Sequence, residues 1–264
     1  MSSRRFQGRL AFTVVGEGRQ PLLLLHGLGG DRSQPLALVD AAVRNRCHVL
    51  APDLRAHGLT SLDERAELLT FSQMAADVEE LLSDLMLTQP LIVVGISMGA
   101  GVAVQLLARR NLPMRGLVLI RPAWRWQPLP PNLFVFPKIA GLLHAYGPEK
   151  GQVLFRRSKS YAQIAAVSVA AADSLHQQFT AFRAIERAQR LTAIPASAPA
   201  RPVSSDTATL VIGNEKDPLH PWCVAERVAE DFGAPLALVP PRYEASEEHA
   251  IQVARAVRCF IQGL

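Results

Sequence analysis

Cysteine is scarce in this 264-residue chain: Cys47, Cys223 and Cys259 are odd in number and too widely spaced for a disulfide framework or a zinc-ligand pair. A reducing compartment is the expectation, with neither metal nor cofactor. Charged residues are also few, at 19% beside 49% hydrophobic residues, and that balance excludes wholesale disorder. Long apolar runs are lacking. Nothing approaches the roughly 18 uninterrupted apolar residues of a membrane span, and the alanine-rich stretch 162–172 is too short. The amino-terminal stretch carries Arg4, Arg5 and Arg9, and its apolar part stops at Gly16, shorter than the apolar region of an export signal. A cytoplasmic protein is therefore expected. Net charge is +5, yet no basic run alternates with aromatics, which argues against a nucleic-acid surface. The basic excess is local: residues 121–205 carry eleven Lys and Arg against Glu149, Asp173 and Glu186.

Short apolar runs bounded by Gly, Pro or Asp recur at 22–25, 49–51, 91–94, 117–120, 210–212 and 236–239, with helical spacing between them. That is the pattern of parallel strands joined by crossover helices, an α/β fold; such strands are buried on both faces and so read as continuous apolar stretches. Residues 10–15, ahead of a Gly-Glu-Gly turn, read as an antiparallel edge strand. Phe71, Met74, Ala75, Val78, Leu81, Leu82 and Leu85 share one helical face, and Thr70 with Gln73 predicts a capping box at its start. Further helices are expected over 100–110, 221–231 and 249–261.

From Pro122 to about Ser205 the strand rhythm stops. Prolines 122, 128, 130, 131 and 137 break the entry, helical patches follow at 139–146, 161–172 and 174–191, and prolines 195, 199 and 202 mark the exit. The expected organisation is a core of 1–121 and 206–264 with a helical lid inserted over 122–205.

The most specific motif is Gly95-Ile96-Ser97-Met98-Gly99, directly after one apolar strand and directly before an apolar helix. In that setting glycines make room for a strained turn that lifts a serine hydroxyl clear of the backbone, while the following helix aims its first amides at developing negative charge. His26-Gly27-Leu28-Gly29-Gly30 ends a neighbouring strand, so the N–H groups of Leu28 and Met98 are the candidate oxyanion donors. His26 itself reads as a structural imidazole bonding the loop backbone. A third motif, Pro52-Asp53-Leu54-Arg55-Ala56-His57-Gly58, follows another strand.

With these motifs in this order, the chain resembles the α/β-hydrolase family over residues 22–120 and again from Thr209 onward. The resemblance implies a mostly parallel sheet with reactive loops at the strands' carboxyl ends, and a lid inserted after the strand at 117–120. It implies that Asp53 and Arg55 hold loops together. It also implies the order nucleophile, acid, histidine, which assigns Ser97, Asp217 in the loop Gly213-Asn214-Glu215-Lys216-Asp217-Pro218, and His249. Glu215 competes with Asp217 and His220 with His249; the closeness of His220 to the acid in sequence suggests the rim of the site. His48, His144 and His176 read as structural or exposed. Trp124, Trp126 and Trp222 either line an apolar substrate tunnel or pack down the lid hinge.

The expected activity is a serine hydrolase on a carboxylic ester or thioester, lactones included, with a small-molecule or acyl-thioester substrate. The basic lid raises docking of an acidic acyl carrier or acyl-coenzyme A. The alternative is a receptor, perhydrolase or lyase on the same scaffold. Halide or epoxide displacement is disfavoured, because relatives that perform it carry Asp where Ser97 stands.

Overall fold

The computed structural model describes residues 2–4, 10–60, 65–87, 89–203 and 205–264; Arg5 and Arg9 lie outside the described residues. Among the described residues eight strands make one sheet: β1 (Ser2–Arg4), β2 (Phe12–Val15), β3 (Gln20–Leu25), β4 (Cys47–Pro52), β5 (Leu91–Ile96), β6 (Met114–Ile120), β7 (Ala208–Gly213) and β8 (Leu236–Leu238). Their order is β1-β2-β4-β3-β5-β6-β7-β8. From β4 to β8 every neighbour is parallel, and β2 pairs antiparallel with β4. Residues 12–15 are thus antiparallel as the sequence suggests, but β1 pairs outside them and takes the edge.

Helices α1 (Ser33–Leu36) and α2 (Ala41–Arg46) follow β3, while α3 (Phe71–Asp84) and α4 (Met98–Arg109) flank β5. Between β6 and β7 lie α5 (Val135–Arg156), α6 (Lys159–Ala165), α7 (Val169–Ser174), α8 (Gln177–Thr180) and α9 (Arg190–Ala196). Then α10 (Trp222–Phe232) precedes β8 and α11 (Ser246–Gly263) closes the chain.

The strands read as unbroken apolar runs because each faces two cores. Leu23, Leu25, Val93, Leu117, Leu119 and Val211 join the cluster under α3, α4 and α10, which contribute Phe71, Met74, Val78, Val102, Leu106 and Val228. The alternate residues Leu22, Leu24, Ile92, Val94, Val118, Ile120 and Ile212 meet Val43 of α2 and Val253, Val257 and Ile261 of α11. Successive strand side chains point to opposite faces, so both faces had to be apolar. At α3 the cap is half of a capping box: Thr70 accepts from the Gln73 N–H at 3.2 Å, but the Gln73 side chain turns to Asp77 instead of back to the cap.

The expected helix over 174–191 is the main departure. Among 174–191 only Ser174 at the end of α7, α8 and the first residues of α9 are helical, and the residues between α8 and α9 run in turns. Ala181 leaves the helical region at ψ 148° and Arg183 takes φ +56°. Arg187 and Arg190 then reach the carbonyls of Gly58, Thr60 and Ala56, tertiary bonds that a continuous helix would redirect.

Candidate active site

The reversal of strand order falls between β3 and β5, where connections leave in opposite directions and open a crevice beyond the strands' carboxyl ends. Ser97 stands there, between β5 and α4, with φ +53° and ψ −108°. A serine does not choose that conformation; its surroundings impose it. Two glycines permit it. A Cβ on Gly95 would stand 2.3 Å from the Gly99 carbonyl oxygen, and one on Gly99 would stand 2.4 Å from that of Leu25. The turn thus lets α4 press its first turn against β3 and β5. Met98 is the first residue of α4, so its N–H has no acceptor within the helix.

The loop after β7 brings the acid and a histidine to the same point. Asp217 Oδ1 accepts from the backbone N–H groups of Leu219 and His220, at 3.0 and 3.1 Å. This tight turn sets both side chains on one side of the loop. His220 Nδ1 bonds Asp217 Oδ2 at 2.9 Å, and His220 Nε2 bonds Ser97 Oγ at 2.9 Å. An imidazole donating from Nδ1 to the carboxylate leaves Nε2 free to accept the serine proton. Burial would raise the Asp217 carboxyl, but the charge and hydrogen bond of His220, the Arg121 guanidinium and the Leu219 amide outweigh it and hold the group well below the usual carboxylate range. Burial lowers the His220 ring below its ordinary value against the opposing pull of Asp217. An ionised acid beside a neutral base is the result.

His249, expected as the base, is a correction. It lies in the first turn of α11, at the head of the last helix as expected, but its Nδ1 is held by the Pro240 carbonyl at 2.8 Å. Side chains in a helix lean toward its amino terminus, and here that direction leads to the loop backbone. Among the described residues no hydrogen bond joins His249 to Ser97 or Asp217. The position next to the serine belongs to His220, and the sequence held its signal: Asp217-Pro218-Leu219-His220, an i,i+3 pair at a strand end. Glu215, the competitor of Asp217, is exposed.

His26 is a loop anchor, with Nδ1 bonding the Gly27 carbonyl and Nε2 accepting the Leu54 N–H, both at 2.9 Å. Asp53 accepts from the N–H groups of Arg32 and Leu59, and Arg55 makes a two-point pair with Asp77 at 2.8 and 2.7 Å. His48 is half-buried in β4, and His144 and His176 are exposed.

A cleft opens on Ser97 and His220, lined by Leu28 and Gly29 and by Leu133, Phe136 and Leu175 from the segment between β6 and β7. Of the three tryptophans, Trp124 lines this cleft, edge-on to Phe71 at 5.0 Å. Trp126 donates to Asp231 at 2.6 Å and, with Ser97 and Trp124, borders a smaller cavity behind the serine. Trp222 packs on the backbone of β7 at Gly213 and lines no part of the cleft. Six of the eleven basic residues of 121–205 are buried or paired: Arg121, Arg187 and Arg190 are buried, while Arg125, Arg156 and Arg183 pair with Asp231, Asp173 and Glu186. No helix among the described residues is long and apolar enough to cross a membrane.

A sequence profile of the Alpha/beta hydrolase family matches residues 22–257. Among curated proteins, protein phosphatase methylesterase 1 of Rattus norvegicus is 36% identical over 120 residues, covering 43% of this chain and 31% of that protein. The match therefore spans about a third of the methylesterase's length. Among solved structures, an enol-lactonase from Burkholderia xenovorans superposes with TM-score 0.72 at 23% identity, over 96% of each chain. A thermophilic esterase from Thermogutta terrifontis gives TM-score 0.69 at 23% identity, over 96% of this chain and 93% of its own. At such identities the likeness is one of fold.

Proposed function

Because the chain belongs to the alpha/beta hydrolase family, we propose that it is a serine hydrolase that cleaves a small carboxylic ester or thioester through an acyl-enzyme, with Ser97 as nucleophile, His220 as base and Asp217 as the orienting acid. The observation that carries this reading is the continuous chain Asp217 to His220 to Ser97, two hydrogen bonds of 2.9 Å opening on a cleft. A serine hydroxyl is a weak nucleophile until a neighbouring base takes its proton, and the lowered His220 ring is neutral and ready to do so.

In the first half, Ser97 Oγ attacks the carbonyl carbon and its proton passes to His220 Nε2. The tetrahedral oxyanion is held by the N–H groups of Leu28 and Met98. His220 then returns the proton to the leaving alcohol or thiol as the carbon–oxygen or carbon–sulfur bond breaks. In the second half, water attacks the acyl-serine, again giving its proton to His220, and the free acid departs as Ser97 regains its hydrogen. A lactone is opened by the same steps. The helical segment 122–205 serves as the lid, its Leu133, Phe136 and Leu175 keeping water off the acyl group. Delivery by an acidic acyl carrier or acyl-coenzyme A stays outside the proposal, because six of the eleven Lys and Arg that suggested it are buried or paired.

The test is labelling with a fluorophosphonate probe, alongside hydrolysis of a neutral activated ester such as p-nitrophenyl butyrate. Modification mapped to Ser97, and loss of both labelling and turnover in a folded Ser97→Ala protein, are expected. A folded protein that is neither labelled nor active would transfer weight to a binding role on this scaffold.

A further inference from the structure

Arg121 is the residue directly after β6, and it enters the cleft from an unusual backbone. Its φ is +48°, left-handed for a residue with a Cβ, and its N–H donates to the Ile212 carbonyl at 2.7 Å. The side chain is 5% exposed, and its Nε and Nη1 make no hydrogen bond. Asp217 Oδ2 lies 3.7 Å from Nη1, but that oxygen already serves His220 and the other serves two backbone amides. The acid offsets part of the charge and leaves the donors unmet. A second guanidinium faces the same space. Arg242, in the loop after β8, lies over the Tyr243 ring at 5.3 Å, and among the described residues no carboxylate pairs with it. Both arginines line the cleft that holds Ser97, and both line an adjoining cavity with Ser174, Gln177 and Tyr243; neither lining contains an Asp or Glu.

Burial draws the Arg121 guanidinium down to about 10, and the like charge of Arg242 adds to that effect while Asp217 opposes it. The group stays charged at neutral pH, so two cations share one wall of the cleft with no carboxylate among its lining residues. The Nε and Nη1 donors of Arg121 are sealed from solvent, so Arg121 contributes chiefly its charge to the wall, while the half-buried Arg242, whose planar fork matches a carboxylate at two points, is the group that meets one.

We propose that Arg121 and Arg242 form a carboxylate-recognising subsite beside Ser97, so that the preferred substrate is a small ester bearing a second, ionised carboxyl group, such as a half-ester of a dicarboxylic acid. This rests on the hydrolase reading for the ester and on the two arginines for the carboxylate. The carboxylate sits against Arg242 within the field of Arg121, while the scissile carbonyl reaches Ser97.

The experiment separates the two readings. Hydrolysis of monoethyl succinate and monoethyl glutarate is followed by acid release and compared with ethyl butyrate and diethyl succinate. In parallel, succinate and glutarate are titrated calorimetrically into the Ser97→Ala protein, a readout that needs no catalysis. The half-esters are expected to exceed the neutral esters in kcat/KM by at least tenfold. That ratio should fall at least tenfold in Arg242→Gln, mainly through KM, and the dicarboxylate should bind at least tenfold more weakly to Ser97→Ala/Arg242→Gln. Arg242→Lys, which keeps charge without the fork, should fall between. Binding without turnover of any ester would uphold the subsite and sink the hydrolase. Turnover of neutral esters with no preference for half-esters, and no dicarboxylate binding, would overturn the subsite and leave the hydrolase standing.

Discussion

Replacing each of two histidines by glutamine separates the structure from the motif order. His220→Gln removes a ring that bonds both Ser97 Oγ and Asp217 Oδ2, and glutamine cannot take the serine proton. General-base catalysis contributes about 10²–10⁴-fold, and loss of a triad member falls at or beyond the upper end, so kcat/KM should drop about 10³-fold or more. Folding should survive. Asp217 keeps the amides of residues 219 and 220 as donors and Arg121 nearby, so the stability cost is that of a few altered hydrogen bonds, about 1–3 kcal/mol. His249→Gln loses one bond to the Pro240 carbonyl, about 0.5–1.5 kcal/mol, and should keep activity within about threefold. Activity on p-nitrophenyl butyrate and thermal melting, measured on both variants, decide it. An inactive, folded His249→Gln beside an active His220→Gln would refute the assignment and restore the motif order.

Because burial lowers the His220 ring while Asp217 opposes it, the base stays neutral below the 6.5 of an ordinary histidine, and the acid limb of kcat/KM should lie below that value; a limb above about pH 7 would contradict it. Burial also lowers the rings of His26, His57 and His249, so the unfolded chain binds protons that the folded chain resists. Stability should therefore fall as pH drops from about 6.5 through the folded values, read as a lower urea midpoint at about pH 5 than at about pH 7. Gly99→Ala places a methyl 2.4 Å from the Leu25 carbonyl, which should cost about 1–3 kcal/mol or more and disturb the Ser97 turn, visible as a lower melting temperature together with weaker fluorophosphonate labelling. Thr70→Ala removes the cap of α3 and should cost about 1 kcal/mol in chemical denaturation with turnover retained; no measurable change would mean that the cap is idle.

The parallel core was legible in the sequence because its signal is local. Each of the strands β3 to β7 is a short apolar run whose alternate residues meet separate cores, and burial on both faces leaves no polar alternation to blur it. The Gly95 to Gly99 turn was legible for the same kind of reason: strain at Ser97 and close approach at two glycines are properties of five consecutive residues. The segment 174–191 was not, since its path is decided by Arg187 and Arg190 reaching carbonyls more than a hundred residues away.

The histidine divides the two kinds of knowledge most sharply. Spacing alone told that an acid and an imidazole stood three residues apart after β7, and that another imidazole opened the last helix. Which of them meets the serine depends on where two loops from different strands deliver their side chains. That is a matter of a turn closed by Asp217 and a helix that points His249 at its own incoming backbone. The arginine wall beside Ser97 is of the same origin: Arg121 and Arg242 lie 121 positions apart in the chain, and only the packing of the loops after β6 and β8 makes them neighbours.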